Sequence, residues 1–423
     1  MKSLIWSIGA LLSPLALAAQ TYHYDTVGRV SAVAYADNTG ITYTYDAAGN
    51  RLTQTAASAP KITTDLQAQL AYVGDNATLS VSVTGTDLSY QWFKNGTAIT
   101  GATSATLTLS GVQKSDGGNY SVVVSNFLNT VSSATAVLSV GTTRLVNISC
   151  RAAGGTGNNV AIGGFVISGS ASKKLLLRAV GPTLTTQGIG QSEVMLDPTI
   201  ELHDALNNNA VIATNDNWGD NTNPADITAT AAQLGATALA SGDTKSSAVI
   251  LTLPPSVYSF IARGKDNTSG VVLVEVYDAD PMSANATLVN ISARAYCTTG
   301  NGVSIGGYVV NGHQPKRVLL RAVGPTLTTQ GIGTAEVLQD PTIEVHDALN
   351  GNAVIATNDN WGDNTNPADI TTVGARLGAT PLAASDTQSS ALILMLKPGV
   401  YSFIAHGKNN SSGIVLVEVY DAD

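Results

Sequence analysis

An acidic, amide-rich loop is the segment best equipped for chemistry, and it occurs twice. NDNWGDNTNPAD stands at 215–226 and returns letter for letter at 358–369. Asp216, Asp220 and Asp226, echoed by Asp359, Asp363 and Asp369, offer carboxylates, and Asn215, Asn217, Asn221 and Asn223 add amide oxygens. Calcium takes about six to eight oxygen ligands, so such a loop can cage it. The register is not that of an EF-hand, since the D-x-[DN]-x-[DN]-G spacing and terminal Glu are absent. The same Asx side chains equally cap turns and the following helix. If an ion sits here, its job is to stiffen the loop. Trp218 and Trp361 lie inside it. Exposed, each indole would stack on a sugar ring beside Asn217 or Asn360; buried, it would pin the loop to the core.

Other candidates point to structure. Arg178 and Arg321 end apolar strands (LLLR), and Glu275 and Glu418 interrupt others (VVLVEVYD, IVLVEVYD). Strand alternation puts Glu275 on one face with Val271, Leu273 and Tyr277, where a carboxylate wants a cation. Salt bridges Arg178–Glu275 and Arg321–Glu418 are the expectation. His203 follows Glu201 at i+2, as His346 follows Glu344; two ligands are too few for zinc, so a solvated strand face is expected. GGTG at 154–157 precedes no helix that would receive phosphate. No Ser-His-Asp order, paired catalytic Glu motif or HExxH is present. The chain reads as non-enzymatic.

These residues belong to a tandem repeat. Residues 145–280 recur as 288–423 without insertion or deletion, and RAVGPTLTTQGIG is identical at 178–190 and 321–333. Each copy predicts about eight short strands, in the first near 145–149, 160–167, 174–180, 199–203, 210–213, 247–253, 257–263 and 271–277. One helix is expected, with Asn223 as cap, Pro224 in its first position and Gly235 at its end. A domain of ~150 residues hides roughly 70% of its unfolded surface, so each copy is long enough for its own core. Cys150 aligns with Ala293 and Cys297 with Gly154, so neither copy has an internal disulfide. Either the two cysteines bridge the copies or, the reading preferred, both remain partly buried thiols.

Bulk properties exclude whole classes. With 12% charged residues and a net charge of −9, the chain has no basic stripe to displace counterions from nucleic acid. Lys2, an apolar stretch over 4–17 and small residues at 16–19 read as a secretory signal removed near 18–20. No later run of about 18 apolar residues predicts a membrane span.

Three stretches resemble known families. At 24–30, YDTVGRV recurs as YDAAGNRL from 45, which resembles the YD repeat of Rhs and teneurin-type shells. Two units cannot close a shell, and an isolated hairpin is marginal in water, so two or three loosely packed strands are expected. YQWFKNG and SATLTLSGVQKSDGGNYSVVVSN, within 61–140, resemble an I-set immunoglobulin domain. That resemblance implies Trp92 as the core tryptophan and Asp116-x-x-x-Tyr120 as the tyrosine corner. Val81 and Val122 stand where the family carries its disulfide, a bond typically worth about 2–5 kcal/mol. IELHDALNNNAVIATNDN, with LPPSVY or KPGVY, resembles pre-peptidase C-terminal modules, which implies a non-catalytic sandwich riding on an exported protein.

The expected architecture is all-β: a signal peptide (1–19), YD hairpins (20–55), a disulfide-free Ig sandwich (60–141), then two antiparallel β-sandwich or jelly-roll repeats (144–280 and 287–423), each with one short helix. The expected role is a secreted or cell-surface binder of glycan or another surface polymer, multivalent through its repeats. The alternative is a structural spacer, or a fragment of a larger Rhs/Ig-type exoprotein.

Overall fold

The computed structural model describes residues 20–280 and 285–423. The expected signal peptide lies outside the described residues. The chain forms two compact units, Met1–Val140 and Gly141–Asp423.

In the first unit the YD segment makes four antiparallel strands, Gln20–Tyr24, Val30–Tyr35, Thr39–Tyr45 and Arg51–Ser58, rather than two or three. The motif explains its own turn. Asp25 accepts the backbone N–H groups of Val27 (3.0 Å) and Arg29 (2.8 Å) and pairs with the Arg29 guanidinium, while Gly28 takes φ +83°. Asp46 and Gly49 repeat the device, Asp46 holding Asn50. A left-handed φ is open to glycine and strained for most other residues. The sheet finds its neighbour in the following domain: His23 packs edge-on against Phe127, and the Asn126 amide donates to the Ser58 carbonyl at 2.8 Å.

The immunoglobulin-type core forms as expected. Trp92 is fully buried with its indole N–H on the Ser104 carbonyl, and Tyr120 closes its corner through a hydroxyl donated to the Asp116 carbonyl at 2.7 Å. Val81 and Val122 are both buried in that core, so apolar packing stands where the bridge would be.

The second unit has eight strands per copy, close to the expected positions, but the copies are not self-contained. In copy one, Ala210–Asn215, Pro198–Asp204, Ser256–Gly264 and Ala161–Gly169 form one sheet. It continues onto Ala286–Cys297, the first strand of copy two, and from there onto Gly413–Asp421, Lys316–Val323 and Ser390–Leu396. Arg144–Gly154, the first strand of copy one, likewise joins Gly270–Asp278 of its own copy to Ser304–Asn311 of the other. Each copy has therefore lent its first strand to a sheet of its twin, and one apolar core runs through both. The expectation of two cores side by side is replaced by one interlocked unit. Cys150 and Cys297 are unpaired and buried. Burial pushes the Cys150 thiol up to about 12, which keeps it protonated and unreactive.

Candidate functional site

The duplicated loop sits between a strand edge and a helix. After the Ala210–Asn215 strand the chain makes a short 3-10 turn, Trp218–Asp220, and enters helix α1, Pro224–Gln233. Asn223 takes the cap position, and its side chain makes no capping hydrogen bond there. Copy two repeats this with Trp361–Asp363 and helix α2, Pro367–Arg376.

Trp218 is half-buried against Ile227 of α1 and the sheet residues Leu176 and Tyr277. Its indole N–H donates to the Asp243 carbonyl at 2.7 Å, and Trp361 does the same to Asp386 at 2.7 Å. The ring is thus anchored at its nitrogen while part of it stays accessible. Asn221 donates to the Trp218 and Ala248 carbonyls, and Asn215 brackets the loop through Asn217 and Ala248. Asn217 donates to Asp220 at 2.9 Å, as Asn360 does to Asp363 at 3.1 Å.

The calcium cage does not assemble. Asp216 pairs with Lys265 and Asp359 with Lys408, so an ammonium already occupies each carboxylate. Asp220 is held by Asn217, Asp226 is exposed on the first turn of α1, and Asp369 reaches Arg317 at 3.4 Å. Among the described residues, no group of three His, Cys, Asp or Glu side chains is placed to hold a metal ion. Ion pairs and hydrogen bonds within the loop engage these side chains instead.

A cleft opens beside Trp218. It measures about 310 Å³ and lies between α1 and the 236–241 loop, walled by Trp218, Ile227, Ala231 and Leu239, with Thr228 and Ser241 among its lining. Arg178 forms part of it. The residue is 1% exposed, its Nη2 donates to the Thr237 carbonyl at 2.9 Å, and its Nε lies 3.1 Å from Glu275. The expected Arg178–Glu275 and Arg321–Glu418 contacts are both present, as cross-strand neighbours and as ion pairs by distance. Burial raises the Glu275 carboxyl, and Arg178 and the Tyr277 hydroxyl oppose that rise. The matching cleft in copy two shrinks to about 80 Å³, with Pro381 where copy one has Ala238.

Sequence reasoning missed three features here. His203 and His346 are buried rather than solvated: a register shift at Leu202/His203 turns the ring inward, where it meets the Asn209 carbonyl at 2.9 Å and Glu201 at 2.7 Å. Lys173 is fully buried against Asp278 and Asp280. Asp243 forms a hub beneath the Trp218 loop, accepting from the hydroxyls and backbone N–H groups of Thr183 and Ser246. Its signal was the D-T-x-S-S string shared by 243–247 and 386–390.

Comparison with known proteins bears on the first unit. Residues 59–126 match the Immunoglobulin domain family and residues 24–60 the RHS Repeat family. No curated protein sequence matches the chain. Among solved structures, the trigonal form of titin M4 is 25% identical over 20% of this chain and 99% of its own, with a TM-score of 0.19. A chimeric titin Z1Z2 functionalized with a KLER peptide from decorin is 27% identical over 21% and 99%, TM-score 0.19. The N-terminal Ig1-2 module of the Drosophila receptor protein tyrosine phosphatase DLAR is 19% identical over 24% and 61%, TM-score 0.18. The likeness of the two copies to pre-peptidase C-terminal modules is not confirmed by these matches. Ig-like and RHS repeat segments in one chain are the build of a modular surface protein or exoprotein. No helix among the described residues is long and apolar enough to cross a membrane.

Proposed function

We propose that the chain is a secreted, non-enzymatic surface module that binds the end of a glycan or another surface polymer in the Trp218 cleft. One observation carries this: an anchored, half-buried indole forms one wall of a cleft of about 310 Å³ with Thr228 and Ser241 nearby. Small-molecule sites run from roughly 300 to 1,000 Å³, so the cleft suits one ring-sized unit of a polymer. A fixed aromatic face loses little entropy on binding, because its nitrogen is already held. The narrower cleft of copy two makes the copies unequal, so affinity rests mainly on copy one and copy two adds at most weak avidity. A spacer without a ligand is the second reading, favoured by the structural duties of the loop's Asn and Asp side chains.

The test is retention of the full chain on immobilised cell-wall polysaccharides. Trp218→Ala is expected to weaken binding at least about tenfold, the scale of a tryptophan at a binding centre. Trp361→Ala should leave binding within about threefold. Ala238→Pro, which carries the copy-two residue into copy one, should act like Trp218→Ala without touching the indole. Retention unaffected by Trp218→Ala and Ala238→Pro, or wild-type protein that is folded yet silent, would overturn the reading in favour of the spacer.

A further inference from the structure

The two exchanged first strands carry a polar stripe that lies outside the Trp218 cleft and that the fold leaves partly unpaired. Alternation along Arg144–Gly154 puts Asn147, Ser149 and Arg151 on one half-buried face. They stand opposite Val309, Gly307 and Ile305 of copy two, and opposite Tyr277, Glu275 and Leu273 of their own copy. The groove over this junction is about 260 Å³, and Arg151, Asn147, Ser149, Gln187 and Ser402 are among its lining. It exists only because the strands are exchanged. The twin strand, Ala286–Cys297, presents Asn290, Ser292 and Arg294 in the same order.

The stripe is short of partners. Arg151 Nε and Asn147 Oδ1 are buried without a hydrogen bond, and so are Arg294 Nε and Asn290 Oδ1. The other face of the Asn147 amide is engaged by the Tyr277 hydroxyl. Among the described residues, no carboxylate lies within ion-pair distance of Arg151 or Arg294. Glu275, the nearest acid by register, is directed to Arg178. The contrast within one chain is informative, because the buried arginines 178 and 321 each have their glutamate. Burial lowers the pKa of both Arg151 and Arg294, and no carboxylate opposes it, the Cys150 thiol beside Arg151 offsetting it only in part. A partly desolvated cation without a partner costs free energy that an arriving anion recovers. The groove floor is kept open by glycine: a Cβ at Gly307 would sit 2.6 Å from Ser149 Oγ, and one at Gly164 equally close to Ser292 Oγ.

We infer that the groove at Arg151 binds the carboxylate group of an acidic ligand through the arginine fork, with Ser149 as a further donor, and that Arg294 on the twin strand offers a second guanidinium of the same kind. Arginine suits this task because its planar guanidinium engages a carboxylate through two parallel hydrogen bonds. The apolar neighbours Leu273, Ile305 and Val309 would receive the ligand's uncharged body. This site is separate from the Trp218 cleft and does not depend on it.

Calorimetric titration of the full chain with benzoate and with tetragalacturonate tests the inference, cellotetraose serving as the neutral control. At least one acid is expected to bind the Trp218→Ala variant as it binds the wild type, whereas any cellotetraose binding to the wild type is expected to be lost in that variant, and which acid binds distinguishes a small free carboxylate from a uronate chain. Arg151→Gln with Arg294→Gln should weaken that binding at least about tenfold, and Arg151→Lys with Arg294→Lys, which keeps the charge and loses the fork, by less. Trp218→Ala should leave it unchanged. Circular dichroism and thermal melts verify that the variants are folded. Failure of both acids to bind the wild type, or undiminished binding by the folded Gln double variant, would overturn it.

Discussion

Lys173→Ala is expected to lower the unfolding free energy of the Gly141–Asp423 unit by about 3–5 kcal/mol near neutral pH, the usual consequence of stripping one partner from a buried pair. Lys173 is wholly buried, with its ammonium 2.9 Å from Asp278 and 2.9 Å from Asp280. It also donates to the Ala286 carbonyl at 3.2 Å, so one side chain ties the last strand of copy one to the first strand of copy two. Asp278 is likewise fully buried and would be left as an uncompensated charge. Burial already pushes the Asp278 carboxyl up to about 6 against the pull of Lys173. A folded-state value above the unfolded one contributes stability that is fully present below the unfolded pKa and is lost as pH rises through about 6. Removing Lys173 removes the pull toward ionisation, so Asp278 takes a proton more readily and the penalty shrinks in mild acid. Urea unfolding at about pH 5 and about pH 8 checks this, with a larger loss at the higher pH expected. Equal losses at both, or a loss below about 1 kcal/mol, would contradict it. Lys316, paired with Asp421 at 2.6 Å and the more exposed Asp423 at 2.9 Å, should show a smaller loss.

Asp243→Ala should cost about 2–4 kcal/mol, because charged hydrogen bonds are the strong ones and their donors would be left buried. The carboxylate accepts the Thr183 N–H (3.0 Å) and hydroxyl (2.5 Å), the Ser246 N–H (2.8 Å) and hydroxyl (2.6 Å), and the Lys245 N–H (3.1 Å). Burial alone would raise this carboxyl, and the hydrogen bonds from Ser246 and Thr183 outweigh it and hold it below its ordinary value. A depressed pKa contributes stability above the unfolded value and loses it as pH falls through the folded one, hence below about pH 4. The variant should therefore be less stable near neutrality and show a flatter acid limb than the wild type. An unchanged acid limb would remove the hub from the account. Asp386→Ala is expected to cost a similar amount near neutral pH, since Thr326 and Ser389 rebuild the hydrogen bonds of the hub in copy two.

Much of this molecule is legible in its sequence, and the gaps have physical causes. Period-two alternation puts Glu275 on a face where a carboxylate wants a cation, Arg178 is the candidate, and cross-strand register makes the two neighbours. The roles of Trp92 and Tyr120 followed from the resemblance of their stretch to an immunoglobulin domain. The strand exchange was invisible for a specific reason: LVNIS opens both copies, so nothing in those residues tells which copy's neighbour they will pair with. His203 was misjudged because strict alternation breaks at a bulge. Asp216 looked like an ion ligand because its counter-charge, Lys265, comes 49 residues later. Arg151 drew no attention because a lone charge in a strand looks solvated until the exchanged strand of the other copy lies beside it.

The claim that the Trp218 cleft is the binding site is tested most directly by following indole N–H resonances in protein with 15N-labelled tryptophan. The chain has four tryptophans, and Trp→Phe variants assign each signal. On titration with oligosaccharides released from a polymer that retains the protein, the Trp218 resonance is predicted to shift saturably, because its N–H is held by the Asp243 carbonyl at the cleft wall. Trp92, sealed in the first unit, and Trp361, which packs against the Ile370 cluster and does not line the narrow cleft, should stay in place. A bound oligosaccharide that leaves Trp218 unmoved, or moves Trp361 alone, would contradict the account.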